Sequence, residues 1–146
     1  MYVRWVVRGH KNVQADVTFH DAYLVESYRN DEGEPRQRTL SYLGNIRQIG
    51  DTFPVIEREL FLLRAELILD SLPGVSPADS SEVLKSLQQK VPPLDADEVR
   101  IGFLNTLRWY FRWWRENGGT PSDKELLRMI EIASDRPDAS LDRLIS

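Results

Sequence analysis

The sequence predicts an α+β fold, an N-terminal three-stranded antiparallel β-meander followed by about four α-helices. Three observations carry that expectation. Apolar and aromatic residues alternate with a period of two through residues 1–50, the period lengthens to that of a helix from Pro54, and Gly, Pro, Asn and Asp cluster between the periodic runs. The 146 residues correspond to one domain, and 41% hydrophobic content is enough for a core.

In "YVRWVV" Val3, Trp5 and Val7 fall on one face of a strand, with Arg4, Val6 and Arg8 on the other. "RGHKN" (8–12) reads as a turn, and "VTFHDAYLVESY" (17–28), rich in β-branched and aromatic residues, as the second strand. "NDEG" supplies turn chemistry, with Gly33 free to take positive φ, and Pro35 stands where a strand can begin. "RQRTLSYLG" is the third strand.

In "PVIERELFLLRAELILDSL" the apolar residues Ile56, Leu60, Leu63 and Leu67 form a stripe at helical spacing, and the helix stops at Pro73-Gly74. Ser76 followed by Pro77 opens a second helix that runs to about Lys90, where "VPP" breaks it. Asp95 with Glu98 three residues on caps a third, which continues through "EVRIGFLNTLRWYFRWWREN" to Gly118-Gly119. "TPSD" starts a fourth, "KELLRMIEIAS", ended by "DRP", and "ASLDRLIS" is a short amphipathic tail. The expected organisation is a meander over 1–50 and a helical region over 51–146 packed on it as one compact unit.

Net charge is −4, which argues against a surface coated throughout by nucleic acid. The charge is uneven: residues 1–50 hold seven Lys/Arg against six Asp/Glu, and the remainder twelve against seventeen. A basic face in the first third is therefore compatible with an acidic helical remainder. There is no cysteine, which removes disulfides, thiolate nucleophiles and sulfur-rich zinc sites. No run approaches the ~18 apolar residues of a membrane span. "MYVRWVVRGH" carries too much charge for a signal peptide, so a cytoplasmic protein is expected.

No constellation for catalysis stands out. His10 and His20 lack a third ligand at metal-site spacing, and no pair of acids stands out as general acid and base. Ser27, Ser41, Ser71 and Ser86 lack a nucleophile-elbow context, and no Walker or Rossmann loop is present. The expectation is a protein that is not an enzyme and holds no metal or cofactor.

The stretch "YLVESYRNDEGEPRQRTLSYLGNI", preceded by "YVRWVV", resembles the N-terminal segment of insertion-sequence DDE transposases. Tyr23, Leu24, Val25, Glu26, Ser27, Tyr28 and Arg29 match the strand motif of that family. Gly33 matches its turn, and Arg36, Gln37, Arg38, Leu43 and Gly44 its returning strand. The resemblance covers residues 1–50, about a third of the chain. A longer connection, "GHKNVQADVTFHD", departs from the pattern. The 146 residues leave no room for the family's ribonuclease-H-like catalytic domain, so the implied function is DNA binding without transposase chemistry.

The residues support the same direction. A two- or three-stranded ribbon fits a DNA major groove, and arginine bonds guanine edges or phosphates from it. Arg36 and Arg38 share one face of the third strand, Arg29 lies just across the turn, and Arg4 and Arg8 share the non-core face of the first strand. These five are the candidate nucleic-acid contacts. The alternative is that they are solvated and paired with Glu26, Asp31, Glu32 and Glu34. In "RWYFRWWR" (108–115) Trp109, Arg112 and Trp113 are candidates for a protein interface, a homodimer included. A plainer reading makes this a core helix, with Leu104, Leu107, Phe111 and Trp114 packed on the sheet and first helix.

Overall fold

A computed structural model describes residues 1–9 and 16–135. Three strands come first: β1 (Tyr2–Gly9), β2 (Val17–Arg29) and β3 (Pro35–Ile49). Four helices follow: α1 (Val55–Ser71), α2 (Pro77–Lys90), α3 (Ala96–Asn117) and α4 (Asp123–Asp135). The α+β class and the order of elements are those that the change of period predicts. Most of the 8–12 turn and the tail "ASLDRLIS" lie outside the described residues, as does His10.

The sheet is antiparallel in the order β1-β2-β3. β3 runs five residues past the Gly44 that reads in sequence as its end. The reason is a pair of bulges. Ala22 pairs with Gly44 but Tyr23 with Tyr42, and Leu24 pairs with Ser41 but Val25 with Thr39. Leu43 and Leu40 are thus extra residues in β3, and Gly44 takes φ +137, which lets the strand bend and continue. A side chain there would also stand 3.5 Å from the ring of Phe61.

Alternation along β2 turns His20, Ala22 and Leu24 toward the helices. They meet Leu43 and Ile46 of β3, Phe61, Ala65 and Leu69 of α1, and Val83 and Leu87 of α2, with Trp5 and Val3 of β1 packed alongside. Val7, expected on the same face, is exposed on edge strand β1, although its partner His20 and Ile46 beyond it are buried.

The stripe Ile56, Leu60, Leu63 and Leu67, read in sequence as the apolar side of α1, lies on the helix side away from the core. Phe61, Ala65 and Leu69 face the sheet instead. They recur every four residues, and the Phe61 ring lies against Gly44 of β3. α1 is apolar on two opposite sides, so periodicity alone does not choose between them.

Caps follow the sequence reading closely. Ser76 Oγ accepts from Asp79 N at 3.1 Å while Asp79 Oδ2 accepts from Ser76 N at 3.3 Å. Asp95 and Glu98 repeat the reciprocal pattern at the start of α3, at 2.9 and 3.1 Å.

Residue contacts group Met1–Gly102 into one compact unit and Phe103–Ser146 into a second. The first therefore holds the sheet, α1, α2 and the opening turns of α3, where Arg58 is clamped. Its guanidinium bonds Glu98 and donates to the carbonyl oxygens of Phe53 (3.0 Å), Pro92 (3.3 Å) and Pro93 (3.4 Å). The second unit holds the rest of α3 and α4.

Candidate nucleic-acid interface

β1 pairs no farther along β2 than Val25, so Glu26–Arg29 and Pro35–Arg38 continue as a two-stranded ribbon. Four residues per strand at about 3.4 Å each extend it roughly 13 Å past β1. The turn is tightly built. Asn30 O accepts from Gly33 N at 2.9 Å, and Asn30 Oδ1 accepts from Glu32 N and Glu34 N at 3.1 and 2.8 Å. Gly33 takes φ +78 there. Arg29 braces the same turn by donating to Gly33 O at 2.8 Å.

Tyr28, Glu26, Arg36 and Arg38 share one side of the ribbon. Arg38 Nε donates to Glu26 Oε2 at 2.9 Å and its guanidinium lies 5.0 Å from the Tyr28 ring centroid. Arg36 pairs with Glu34 at 2.5 Å. Both arginines remain more than half exposed, so water screens these pairs and an incoming phosphate can displace the carboxylates.

Arg4 and Arg8 stand elsewhere. β2 contains no extra residue, so Tyr23, Asp21 and Phe19 face away from the helices and meet Arg4, Val6 and Arg8 of β1. Arg4 lies over the Tyr23 ring at 5.3 Å and Arg8 over the Phe19 ring at 5.8 Å. Tyr23 and Tyr42 are tilted rings 5.2 Å apart. This open face thus interleaves arginine with aromatics, on the side of the sheet opposite to Arg36 and Arg38. Among the described residues neither Arg4 nor Arg29 has a carboxylate partner.

At the centre of the open face lies a polar cluster that the sequence reading missed. Asp21 accepts from Arg8 Nε at 3.0 Å, Tyr42 Oη at 2.8 Å and Asn45 Nδ2 at 2.9 Å. Burial alone would raise the Asp21 pKa, but the hydrogen bonds from Asn45 and Tyr42 and the Arg8 charge outweigh it and hold the carboxyl below its ordinary range. Burial and the Asp21 carboxylate together push the Tyr42 phenol up to about 12. The available signal was a lone acid in the middle of an apolar, aromatic strand.

On the core side His20 is buried between Trp5 and Phe53, its Nε2 2.8 Å from Gln48 Oε1 and its Nδ1 without a partner. Burial lowers its pKa. Lys90 sits 4.6 Å above the Trp5 ring and is likewise shifted down by burial. No group of three or more His, Asp or Glu among the described residues is placed to hold a metal, and no described helix is long and apolar enough to cross a membrane.

Trp109, Arg112 and Trp113 belong to the second unit. The two indoles are about half exposed, and Trp109 meets Tyr110 edge-on at 5.2 Å. Phe111 and Trp114 pair edge-on at 5.7 Å and are half-buried with Leu107, whereas Leu104 is exposed and takes no core position.

No curated protein and no solved structure matches the chain. A family model does. Its match starts beyond β1, in the connection to β2, includes the whole ribbon, and extends through α1. The stretch 11–73 is similar to the N-terminal domain of IS1634 family transposases, and the resemblance first carried by Tyr23–Gly44 is to the N-terminal segment of such an enzyme.

Proposed function

We propose that this chain is a non-catalytic nucleic-acid-binding module, with DNA as its ligand, related to a transposase N-terminal region and acting in the cytoplasm without metal or cofactor. The observation that carries the reading is the β2–β3 ribbon, which projects past β1 with Tyr28, Arg36 and Arg38 on one side. Its reach of roughly 13 Å exceeds the ~8.5 Å depth of a B-DNA major groove, so the tip can seat at the groove floor while the arginines meet its edges. Arginine is permanently charged and bonds phosphate or guanine in a fork, which suits it to both contacts. Arg29 holds the turn in shape, and Arg4 and Arg8 supply a second, flatter set of contacts on the open face.

A gel-shift titration with duplex and single-stranded probes at two or more salt concentrations tests this. Arg36→Ala with Arg38→Ala is expected to weaken duplex binding and flatten the log–log salt slope by about 1.5–2, at ~0.7–0.9 per lost phosphate contact. The melting temperature should barely move, because exposed ion pairs contribute at most about 1 kcal/mol. A wild-type protein that binds no probe at low salt would sink the proposal. The half-exposed Trp109 and Trp113, with Arg112 between them, favour one second reading, a protein-interaction or homodimerisation domain built on the Trp-rich helix.

A further inference from the structure

We infer that the outer side of α1 is a self-association seam, on which two copies of this chain pair through Ile56, Leu60, Leu63 and Leu67 with their α1 helices parallel. These four side chains are 64, 49, 51 and 62% exposed, while Phe61, Ala65 and Leu69 on the opposite side are buried. A helix that is apolar all round is ordinarily a buried one, so the exposed second side of α1 calls for a partner. The sheet and α2 cover one of them. The open side is a continuous row of large aliphatics, unlike the scattered apolar residues that any surface carries.

The spacing and the charges that flank it together point to the occupant. Steps of four, three and four residues are the a/d alternation of a coiled-coil seam, which is complementary to a second copy of itself. On that assignment Glu59 and Glu66 take g positions and Arg64 an e position. In a parallel pair, Glu59 of one copy faces Arg64 of the other, and symmetry makes the contact twice. An antiparallel pair would instead set Glu59 against Glu66. Arg64 has no carboxylate partner among the described residues, so it is available for this contact. The seam uses neither the ribbon nor the Trp-rich helix, so it stands or falls independently of nucleic-acid binding.

Sedimentation or light scattering of the full chain without nucleic acid tests it. The wild type is expected at twice the 16.9 kDa chain mass at micromolar concentration. Leu60→Glu with Leu63→Glu is expected to weaken the dimer by about 100-fold or more, with unchanged far-UV circular dichroism, because four aliphatic side chains per dimer leave the seam. The absence of native cysteine permits a second measurement. Leu63→Cys, at a position that meets its own copy in a parallel seam, should cross-link under mild oxidation, while exposed Val7→Cys should not. A monomeric wild type, a folded double variant that remains dimeric, or equal cross-linking at both positions would overturn the inference.

Discussion

Asp21 and His20 are consecutive residues that point to opposite sides of β2, and each titrates against a different background. The folded Asp21 carboxyl lies below its ordinary 3.8, so its contribution is present above that value and is lost as pH falls through the folded pKa. Asp21→Ala is expected to cost about 2–3 kcal/mol near neutrality, since charge-assisted hydrogen bonds are lost and Tyr42 and Asn45 keep no acceptor. Thermal melts from pH 2 to 7 check this, and the variant should lack the steepest part of the wild-type acid limb. His20 is displaced in the same direction for another reason. Its folded pKa is lowered from 6.5 mainly by burial, so the unfolded chain takes up a proton first and stability declines as pH falls below 6.5. His20→Phe keeps a ring between Trp5 and Phe53 and should remove that slope, while the lost Gln48 bond costs about 1 kcal/mol at neutral pH.

At the scale of elements, glycines and caps carry sharp expectations. Gly44→Ala forces a side chain into positive φ at a bulge beneath α1, and should cost about 1–3 kcal/mol in chemical denaturation. Ser76→Ala removes one half of a reciprocal cap and should cost about 1 kcal/mol by the same measurement. These elements also show what the sequence made legible. Ser76-Pro77 and the Asp95/Glu98 pair mark helix starts because the capping side chain acts within four residues of itself. The turn at Asn30–Glu34 is equally local, and so was readable. β3 was not, because Gly44 means an ending in one tertiary context and a bend in another. α1 shows the same limit from the other side: both of its faces have helical spacing, and only the position of the sheet decides between Phe61 and Leu60. Of the candidate arginines, sequence could place Arg36 and Arg38 on one strand face. It could not place them opposite Arg4 and Arg8, because that relation depends on the number of bulges between them.

For the whole molecule, the boundary at Gly102 divides the tryptophans usefully. Trp5 belongs to the first unit, and Trp109, Trp113 and Trp114 to the second. A fragment ending at Gly102 retains the sheet, α1, α2 and the Arg58 clamp, and is expected to unfold cooperatively with Trp5 fluorescence as its only indole signal. Gradual loss of that signal without a transition would show that residues 103–146 are needed for the core. The same fragment should bind duplex DNA as the full chain does, because all five candidate arginines lie within it.

The two extra residues in β3 make the facing of the ribbon a question of odd and even. Each bulge inverts which side of the sheet an even-numbered residue occupies, and two inversions cancel. Arg36 and Arg38 therefore share the side of Ile46, although Tyr42 between them does not. Removal of Leu40 alone would take out one inversion and one residue together, so Arg36 and Arg38 would keep their partners Tyr28 and Glu26 and their side of the sheet. Each bulge is thus a spare place in the count: the strand can lose its extra residue without changing which surface its guanidinium groups serve.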